Sequence, residues 1–214
     1  MALSNLTIAL VAGALFSAVL ATWSQAASRR RLHLVTKPLT TGLIIAVAAV
    51  AAAPVPAAYK TLVLAGLALS LLGDIALMFP EKWFTAGLVF FLAAQVSYIL
   101  AFKPLPGHPI SPATFLPFVL FGLLMFFLLA PKLGPMKLPV FIYIAAITLM
   151  AGFAAARFID RGGTKPLLAF VGAVLFLISD SVLAYDRFAR KVPGARVIIL
   201  GTYFPAQLLI ALSV

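Results

Sequence analysis

The sequence predicts an all-α membrane protein, a polytopic bundle of about eight transmembrane helices that forms a single domain over residues 1–214. Hydrophobic residues make up 64% of the 214 residues, charged residues make up 10%, and the mean hydropathy is +1.16. Soluble domains carry about 25% charged residues, so this composition excludes an ordinary soluble fold. Stretches without Asp, Glu, Lys or Arg recur along the whole chain, and a span needs roughly 20 apolar residues.

The charge-free stretches give the order of the helices. We predict eight of them, at about 3–22, 38–58, 61–79, 84–102, 113–130, 138–156, 166–185 and 197–213. Only the third and seventh stretches are interrupted, each by one acid, Asp74 and Asp180. The connections are short and rich in Pro and Gly, so they leave no room for a soluble domain.

The first stretch has two interpretations. It ends in small residues, as a cleaved signal peptide does, but it lacks a basic start, its apolar run is long, and "RRR" follows it at 29–31. These features favour a retained helix.

The basic residues predict the orientation of the helices. The net charge of +11 would favour nucleic-acid binding in a soluble protein, but here the 16 Lys and Arg lie almost entirely between apolar stretches. There they orient helices and meet anionic lipid head groups, so we expect the bilayer as a partner, no nucleic acid, and no protein partner. Eleven of them follow helices 1, 3, 5 and 7, at 29, 30, 31, 37, 82, 132, 137, 187, 190, 191 and 196. The positive-inside rule then places both termini outside the cytoplasm, although Arg157, Arg161 and Lys165 cluster on the other side. We expect a multi-pass protein of the bacterial inner (cell) membrane.

The two intramembrane acids lie in similar phrases. "SLLGDIALM" surrounds Asp74, and "FLISDSVLAY" surrounds Asp180, 106 positions later. The predicted topology runs both helices in the same direction and places each carboxyl about 8 to 9 Å inside the cytoplasmic end of its helix. Helices 4 and 8 also resemble each other, with "FFLAAQ" ending at Gln95 and "YFPAQ" ending at Gln207. We interpret this as a parallel duplication of four plus four helices, with chance similarity between apolar helices as the alternative.

A carboxyl at a helix centre in the membrane costs roughly 2.5 to 3.5 kcal/mol, so it should face the bundle interior with a partner or water. Taken singly, each Asp also fits a structural role, as a protonated acid bonded to a neighbouring helix. Two acids at similar depth beside Ser70, Ser179 and Ser181 favour a shared polar cavity instead. There one proton is shared between the carboxyls, which gives a general acid beside a general base.

Other hydrolytic machinery is excluded within the helices. Both histidines, His33 and His108, fall in connections on opposite sides, so neither a Ser-His-Asp triad nor a His-ligated metal is expected there. The chain has no cysteine for a thiolate site, and we expect no metal and no cofactor. The other polar side chains within the helices serve either the site or interhelical hydrogen bonding; they include Gln95, Tyr98, Tyr143, Tyr203 and Gln207.

Five segments together resemble the YhhN-like family, whose characterised members are lysoplasmalogenases. They are "KPLTT" (37–41), "SLLGDIALM" (70–78), "FLAAQVSYILAF" (91–102), "GAVLFLISDSVLAYDRF" (172–188) and "YFPAQLLIALSV" (203–214). They run in order over nearly the whole chain, and the two Asp motifs with the terminal motif are specific in combination. Many members carry His where Gln95 stands, and Gln95 cannot supply a proton.

The resemblance implies hydrolysis of the vinyl ether of lysoplasmalogen-type lysophospholipids to a fatty aldehyde and a glycerophospho head group. Such a reaction begins with protonation of carbon, and paired carboxylates provide an acid and a stabilising base without a metal. Asp74 and Asp180 are the expected catalytic residues, in roles that the sequence does not assign. Lys37, at the predicted start of helix 2, is expected to hold the phosphate, unless it is an ordinary snorkelling lysine. One of the arginines at 29–31 is the alternative binding residue for the phosphate. The expected substrate-binding residues are Lys37, Thr41, Tyr98, Tyr143, Ser181, Tyr203 and Gln207.

Two other classes of function remain open at this point. A proton-coupled transporter of a small or lipid substrate would use the same Asp pair, and the eight-helix duplication would suit it. A structural or lipid-binding protein is the third class. Release of aldehyde from lysoplasmalogen by the purified protein separates the hydrolase from both.

Overall fold

The computed structural model describes residues 4–51, 55–104 and 110–214, and their regular secondary structure is entirely helical. The predicted all-α class is therefore confirmed. Eight α-helices occur in the described ranges: α1 (Asn5–Ala26), α2 (Arg30–Val50), α3 (Ala57–Leu77), α4 (Pro80–Phe102), α5 (Leu116–Leu129), α6 (Lys137–Arg161), α7 (Thr164–Ala184) and α8 (Ala195–Leu212). His108 lies outside the described residues.

Seven of these helices are long and apolar enough to cross a membrane. The exception is α5, whose 14 residues extend only about 21 Å, whereas the hydrocarbon core is about 30 Å thick. Short 3-10 turns on both sides lengthen this segment. The chain is thus a multi-pass membrane protein with one helix shorter than the sequence suggested.

Helix α2 begins at Arg30, eight residues before the predicted start at 38. The prediction began the helix after the last charge, but the "RRLHLVTK" segment continues the same helix. Pro38 lies inside α2, where its ring removes one backbone donor without ending the helix. As a result Lys37 lies within the second helix rather than at its end, and its side chain is buried.

The bundle has apolar side chains outside and polar ones inside. Phe16, Phe127 and Ile159 are each about 70% exposed or more, at 73%, 69% and 70%. In contrast, Asp74 and Gln95 are at most 1% exposed. This distribution is expected where the surrounding solvent is hydrocarbon, since polar groups must then find partners within the protein.

The helix contacts repeat between the two halves of the chain. In each half the first helix packs along the second and the third along the fourth, so that α1–α2 matches α5–α6 and α3–α4 matches α7–α8. The contacts α2–α3 and α4–α6 correspond likewise to α6–α7 and α8–α2. The departure is α5, because α1 packs on α8 while α5 makes no comparable contact with α4 in the described ranges. This pattern supports the four plus four duplication.

Close packing of α3 on α4 depends on small residues. A Cβ at Gly66 would lie 2.3 Å from the Tyr98 ring, and a Cβ at Gly73 would lie 2.7 Å from the Phe91 ring. Both distances are well below van der Waals contact, so only glycine lets these aromatic rings approach the α3 backbone. Small residues at helix interfaces are typical of membrane bundles.

Candidate active site

Asp74 lies in the last turn of α3 and accepts three contacts from two other helices. Lys37 Nζ of α2 lies 3.2 Å from Asp74 Oδ1. Thr41 of α2 and Tyr203 of α8 each donate a hydrogen bond of 2.7 Å to Asp74 Oδ2. Asp74 is 1% exposed, so a buried cation and two hydroxyl groups surround a buried carboxylate.

Asp180 of α7 has a different set of partners. The hydroxyl of Tyr143 on α6 donates to Asp180 Oδ2, and Gln95 Nε2 on α4 lies 3.4 Å from the same oxygen. Within the described ranges, Asp180 Oδ1 has no hydrogen-bond partner and is not among the fully buried polar atoms. No cation pairs with this carboxyl there. Asp180 is therefore held by neutral donors and keeps one oxygen free.

The two networks have the same plan. Each Asp is contacted from the helix before its own, Asp74 by two residues of α2 and Asp180 by one residue of α6. Each also takes a partner from the fourth helix of the other half, since Tyr203 lies on α8 and Gln95 on α4. The sequences "GLALSLLGD" (66–74) and "GAVLFLISD" (172–180) share the Gly, two Leu and the Asp at equal spacing. These observations again support the duplication.

A separate polar group lies deeper in the bundle. Tyr98 donates a hydrogen bond of 2.7 Å to Gln207 Oε1, and Gln207 Nε2 donates one of 3.0 Å to Ser70. Neither Tyr98 nor Gln207 has a hydrogen bond to an Asp. We therefore expect these two predicted site residues to support α3 and α8 next to the site, since Ser70 precedes Asp74 by one turn.

An apolar cavity adjoins Asp180. Its polar lining comes from Tyr143, Thr148, Asp180 and Ser181, and the rest is apolar, including Leu77, Phe84, Leu88 and Leu183. Its volume is about 50 Å³, enough for a few water molecules. Asp74 is not part of the lining, so the structure does not show the single polar cavity that the sequence led us to expect. Each acid instead has its own surroundings.

A second cavity, here called the basic vestibule, opens at the end of the bundle where the loops α1–α2, α3–α4 and α7–α8 meet. Its volume is about 480 Å³, which is within the range of small-molecule sites. It shares Leu77, Phe84 and Leu183 with the apolar cavity. The charged or titratable residues that line it are Arg30, His33, Lys37, Asp186, Arg187, Lys191 and Arg196.

The sequence indicates Arg187 and Arg196 only as loop charges that orient the helices, whereas it also offers Arg30 as an alternative binding residue for the phosphate. Nothing in the spacing of these arginines indicates that they converge. Lys37 was assigned to the substrate phosphate, whereas the structure shows its ammonium group beside Asp74. Its role in substrate binding remains a prediction. No group of three or more His, Cys, Asp or Glu in the described parts of the chain could hold a metal ion.

The chain is similar to proteins from animals and bacteria. The YhhN family matches residues 32–214. Lysoplasmalogenase TMEM86B of Homo sapiens is 36% identical over 167 residues, which is 72% of this chain and 64% of that protein. Lysoplasmalogenase TMEM86A of Bos taurus is 34% identical, over 72% of this chain and 65% of that protein. The chain thus spans slightly less than two thirds of the length of these curated relatives.

A bacterial relative covers more of the chain. The uncharacterized membrane protein YhhN of Escherichia coli O6:H1 is 30% identical over 84% of this chain and 85% of its own length. No solved structure matches this chain. Because the family match covers most of the sequence, including both Asp motifs and every helix from α3 to α8, this multi-pass membrane protein belongs to the YhhN family.

Proposed function

We propose that this protein hydrolyses the vinyl ether bond of lysoplasmalogen-type lysophospholipids, giving a fatty aldehyde and a glycerophospho head group. The observation that carries the proposal is the position of Asp180, a membrane carboxyl whose free oxygen adjoins an apolar cavity that meets a basic vestibule. An acid at such a junction suits a substrate with an apolar chain and an anionic head. The names of the animal relatives, both lysoplasmalogenases, support the same reaction.

Asp180 is the better candidate for the general acid. No cation is paired with it among the described residues, and its Oδ1 is free to carry and donate a proton. In the proposed first step, this proton passes to the β-carbon of the vinyl ether. The C=C bond becomes a C–C single bond, and the ether oxygen and the adjacent carbon share the positive charge as an oxocarbenium ion.

Water then completes the reaction. The carboxylate of Asp180, formed by the first step, accepts a proton as water attacks the oxocarbenium carbon, which regenerates the acid. The resulting hemiacetal transfers its hydroxyl proton to the ether oxygen as the C–O bond breaks. The products are an aldehyde and an alcohol, and their atoms equal those of the substrate plus one water molecule.

Asp74 supplies a fixed negative charge in this proposal. Its two oxygens are occupied by Lys37, Thr41 and Tyr203, so it is poorly placed to accept a proton from water. A permanent carboxylate inside a medium of low dielectric constant stabilises positive charge that develops nearby. Asp74 also orients the Tyr203 ring through the hydrogen bond from its hydroxyl. That ring packs edge-on against Phe91, with 5.8 Å between the centroids, and Phe91 lines the apolar cavity.

The test is aldehyde release by the purified protein. Lysoplasmalogen should yield one aldehyde for each glycerophospho head group, while a matched 1-O-alkyl lysophospholipid, which lacks the double bond, should yield none. Contamination is controlled by an Asp180→Asn protein prepared in parallel. If no aldehyde forms while proteoliposomes show proton-coupled uptake of a substrate, the transporter interpretation replaces this one.

A further inference from the structure

The basic vestibule holds more positive charge than its own acids balance. Lys191 forms a salt bridge of 2.9 Å with Asp186, the single carboxylate in the described lining. Lys37 is already paired with Asp74. The remaining cations are Arg30, Arg187 and Arg196, and all three line the vestibule. An excess of arginine in a concave site is a feature of anion binding, because guanidinium groups match phosphate oxygens in geometry.

The hydrogen bonds that orient Arg196 are made with a neutral side chain, and the Asp186 carboxylate is close enough to interact with its charge. The side-chain amide of Gln25 satisfies both of its neighbours when its oxygen faces Arg196 and its nitrogen faces His33. In this orientation the oxygen accepts hydrogen bonds from Arg196 Nη1 at 3.2 Å and from Arg196 Nε at 3.3 Å. The Gln25 nitrogen then donates to His33 Nε2 at 3.2 Å, and His33 Nδ1 lies 3.1 Å from the Ala21 carbonyl oxygen. This chain of hydrogen bonds orients the guanidinium without neutralising it. The other guanidinium nitrogen remains available to an anion.

Arg187 lies next to the apolar cavity. Its guanidinium carbon is 4.8 Å from the centre of the Phe84 ring, and Phe84 lines both cavities. The π-helical turn Tyr185–Ala189 at the end of α7 produces this arrangement. Within it, Arg187 lines the basic vestibule and the next residue, Phe188, lines the apolar cavity. The Phe188 ring packs edge-on against the Phe84 ring, with 5.9 Å between the centroids. An anion at Arg187 is therefore separated from the apolar cavity by about one aromatic ring.

We propose that Arg187 and Arg196, with Arg30, bind the phosphodiester of the lysophospholipid, while the start of its hydrocarbon chain reaches past Phe84 to the apolar cavity. This inference rests on the proposed function for its choice of lipid. In this proposal the arginines bind the phosphate, and Lys37 does not, because the Lys37 ammonium group is already paired with Asp74. The ligand chemistry is an anionic phosphodiester attached to a single apolar chain.

The experiment measures binding, so it does not depend on turnover. Purified protein in an uncharged detergent is titrated with a 1-O-alkyl lysophospholipid, which lacks the vinyl double bond, and with the corresponding 1-O-alkylglycerol, which lacks the phosphate. We expect Arg187→Gln and Arg196→Gln each to weaken lysophospholipid binding by about two- to fivefold, because exposed ionic contacts contribute modestly. The affinity for alkylglycerol should stay unchanged, and higher salt should reduce the difference.

Arg190→Gln is the matched control. Arg190 belongs to the same loop as Arg187, is also exposed, and does not line the vestibule, so its loss should leave binding unchanged. An equal loss of affinity in this variant would mean that general surface charge attracts the lipid, and the proposal would be overturned. The proposal would also be overturned if the Arg187→Gln and Arg196→Gln variants lost as much affinity for the alkylglycerol as for the lysophospholipid.

Two soluble competitors identify the source of the phosphate. Glycerophosphocholine should displace the lysophospholipid weakly, through the arginines alone, and inorganic phosphate should displace it less. Displacement by inorganic phosphate at concentrations as low as those of the lipid would instead indicate a site for free phosphate. If no aldehyde is released from any lipid but the arginine variants still lose affinity, the proposed hydrolase function fails while the binding site stands.

Discussion

Lys37 and Tyr143 occupy equivalent places in the two halves of the molecule. Each lies 37 residues before an Asp that it contacts, Lys37 before Asp74 and Tyr143 before Asp180. The two contacts have different chemistry, since one partner is a cation and the other a neutral phenol. Asp74 therefore has a cationic partner at this spacing, whereas Asp180 has a neutral donor. This difference is the basis for assigning the acid role to Asp180.

The first prediction concerns the proton donor. Asp180→Asn should reduce aldehyde release by at least about 100-fold, because general acid catalysis contributes about 10² to 10⁴ in rate and Asn keeps the shape without the proton. The variant should still insert and purify, since no buried cation loses its partner. Glu81→Gln, which removes an exposed carboxylate, is the matched control. Full activity of Asp180→Asn would show that Asp180 is not the proton donor and has a structural role instead.

The second prediction separates stability from catalysis at Asp74. Asp74→Asn leaves Lys37 buried without its counter-ion, and breaking such a pair costs about 3 to 5 kcal/mol. We expect a clearly lower melting temperature in detergent, together with loss of turnover. The double variant Lys37→Met, Asp74→Asn removes both charges and should recover most of the melting temperature but not the activity. Recovery of aldehyde release in the double variant would exclude a catalytic role for the Asp74 charge.

The third prediction concerns the proton on Asp180 and the absence of a metal from the mechanism. The proposed first step needs a protonated Asp180, so kcat/KM should fall as the pH rises and this carboxyl loses its proton. Because the mechanism uses no metal, treatment with EDTA should leave turnover unchanged at every pH. Inhibition by EDTA that zinc or magnesium restores would contradict the mechanism.

The fourth prediction tests the orientation inferred from the loop charges. The chain has no native cysteine, so any thiol labelling of a single-cysteine variant comes from the introduced residue. Arg190→Cys, in the basic loop between α7 and α8, should react with a membrane-impermeant thiol reagent only after cells are permeabilised. Ser111→Cys, between α4 and α5 and also exposed, should react in intact cells. The reverse pattern would place the basic vestibule on the outer side of the membrane.

The fifth prediction concerns the packing of α3 on α4. Gly66→Ala forces a methyl group into the Tyr98 ring, and overpacking of this kind costs about 1 to 3 kcal/mol. It should lower the melting temperature and disturb the hydrogen bond between Tyr98 and Gln207. Gly13→Ala is the control, because its Cβ would meet Leu43 at an ordinary 3.8 Å and Ala favours the helix. Equal destabilisation by both changes would show that the close approach of the Tyr98 ring to Gly66 does not explain the effect.

The sequence predicted the helices and the buried acids because both depend on local patterns. A charge-free stretch of about 20 residues indicates a span wherever it occurs, and an Asp within such a stretch must find partners inside the bundle. The same rule failed for the start of α2. It treated Lys37 as a boundary because it is charged, whereas the buried carboxylate of Asp74 stabilises that charge inside the helix.

The partners of each Asp were not predictable in the same way, because they come from helices that are distant in the sequence. Tyr203 follows Asp74 by 129 residues, and Gln95 precedes Asp180 by 85. One local signal was present, the equal spacing of Lys37 to Asp74 and of Tyr143 to Asp180. This signal is weak because the similarity between the two halves is visible in the sequence mainly around the Asp and Gln residues, and a Lys does not resemble a Tyr.

The exchange of partners between the halves has an evolutionary consequence. A cut between α4 and α5 would take Tyr203 away from Asp74 and Gln95 away from Asp180, so neither fragment would keep a complete network. A chain made of one such half could complete both networks only by pairing with a second copy of itself. In a homodimer encoded by a single gene, the positions of Lys37 and Tyr143 would carry the same residue, so the difference between them requires both halves to lie in one chain.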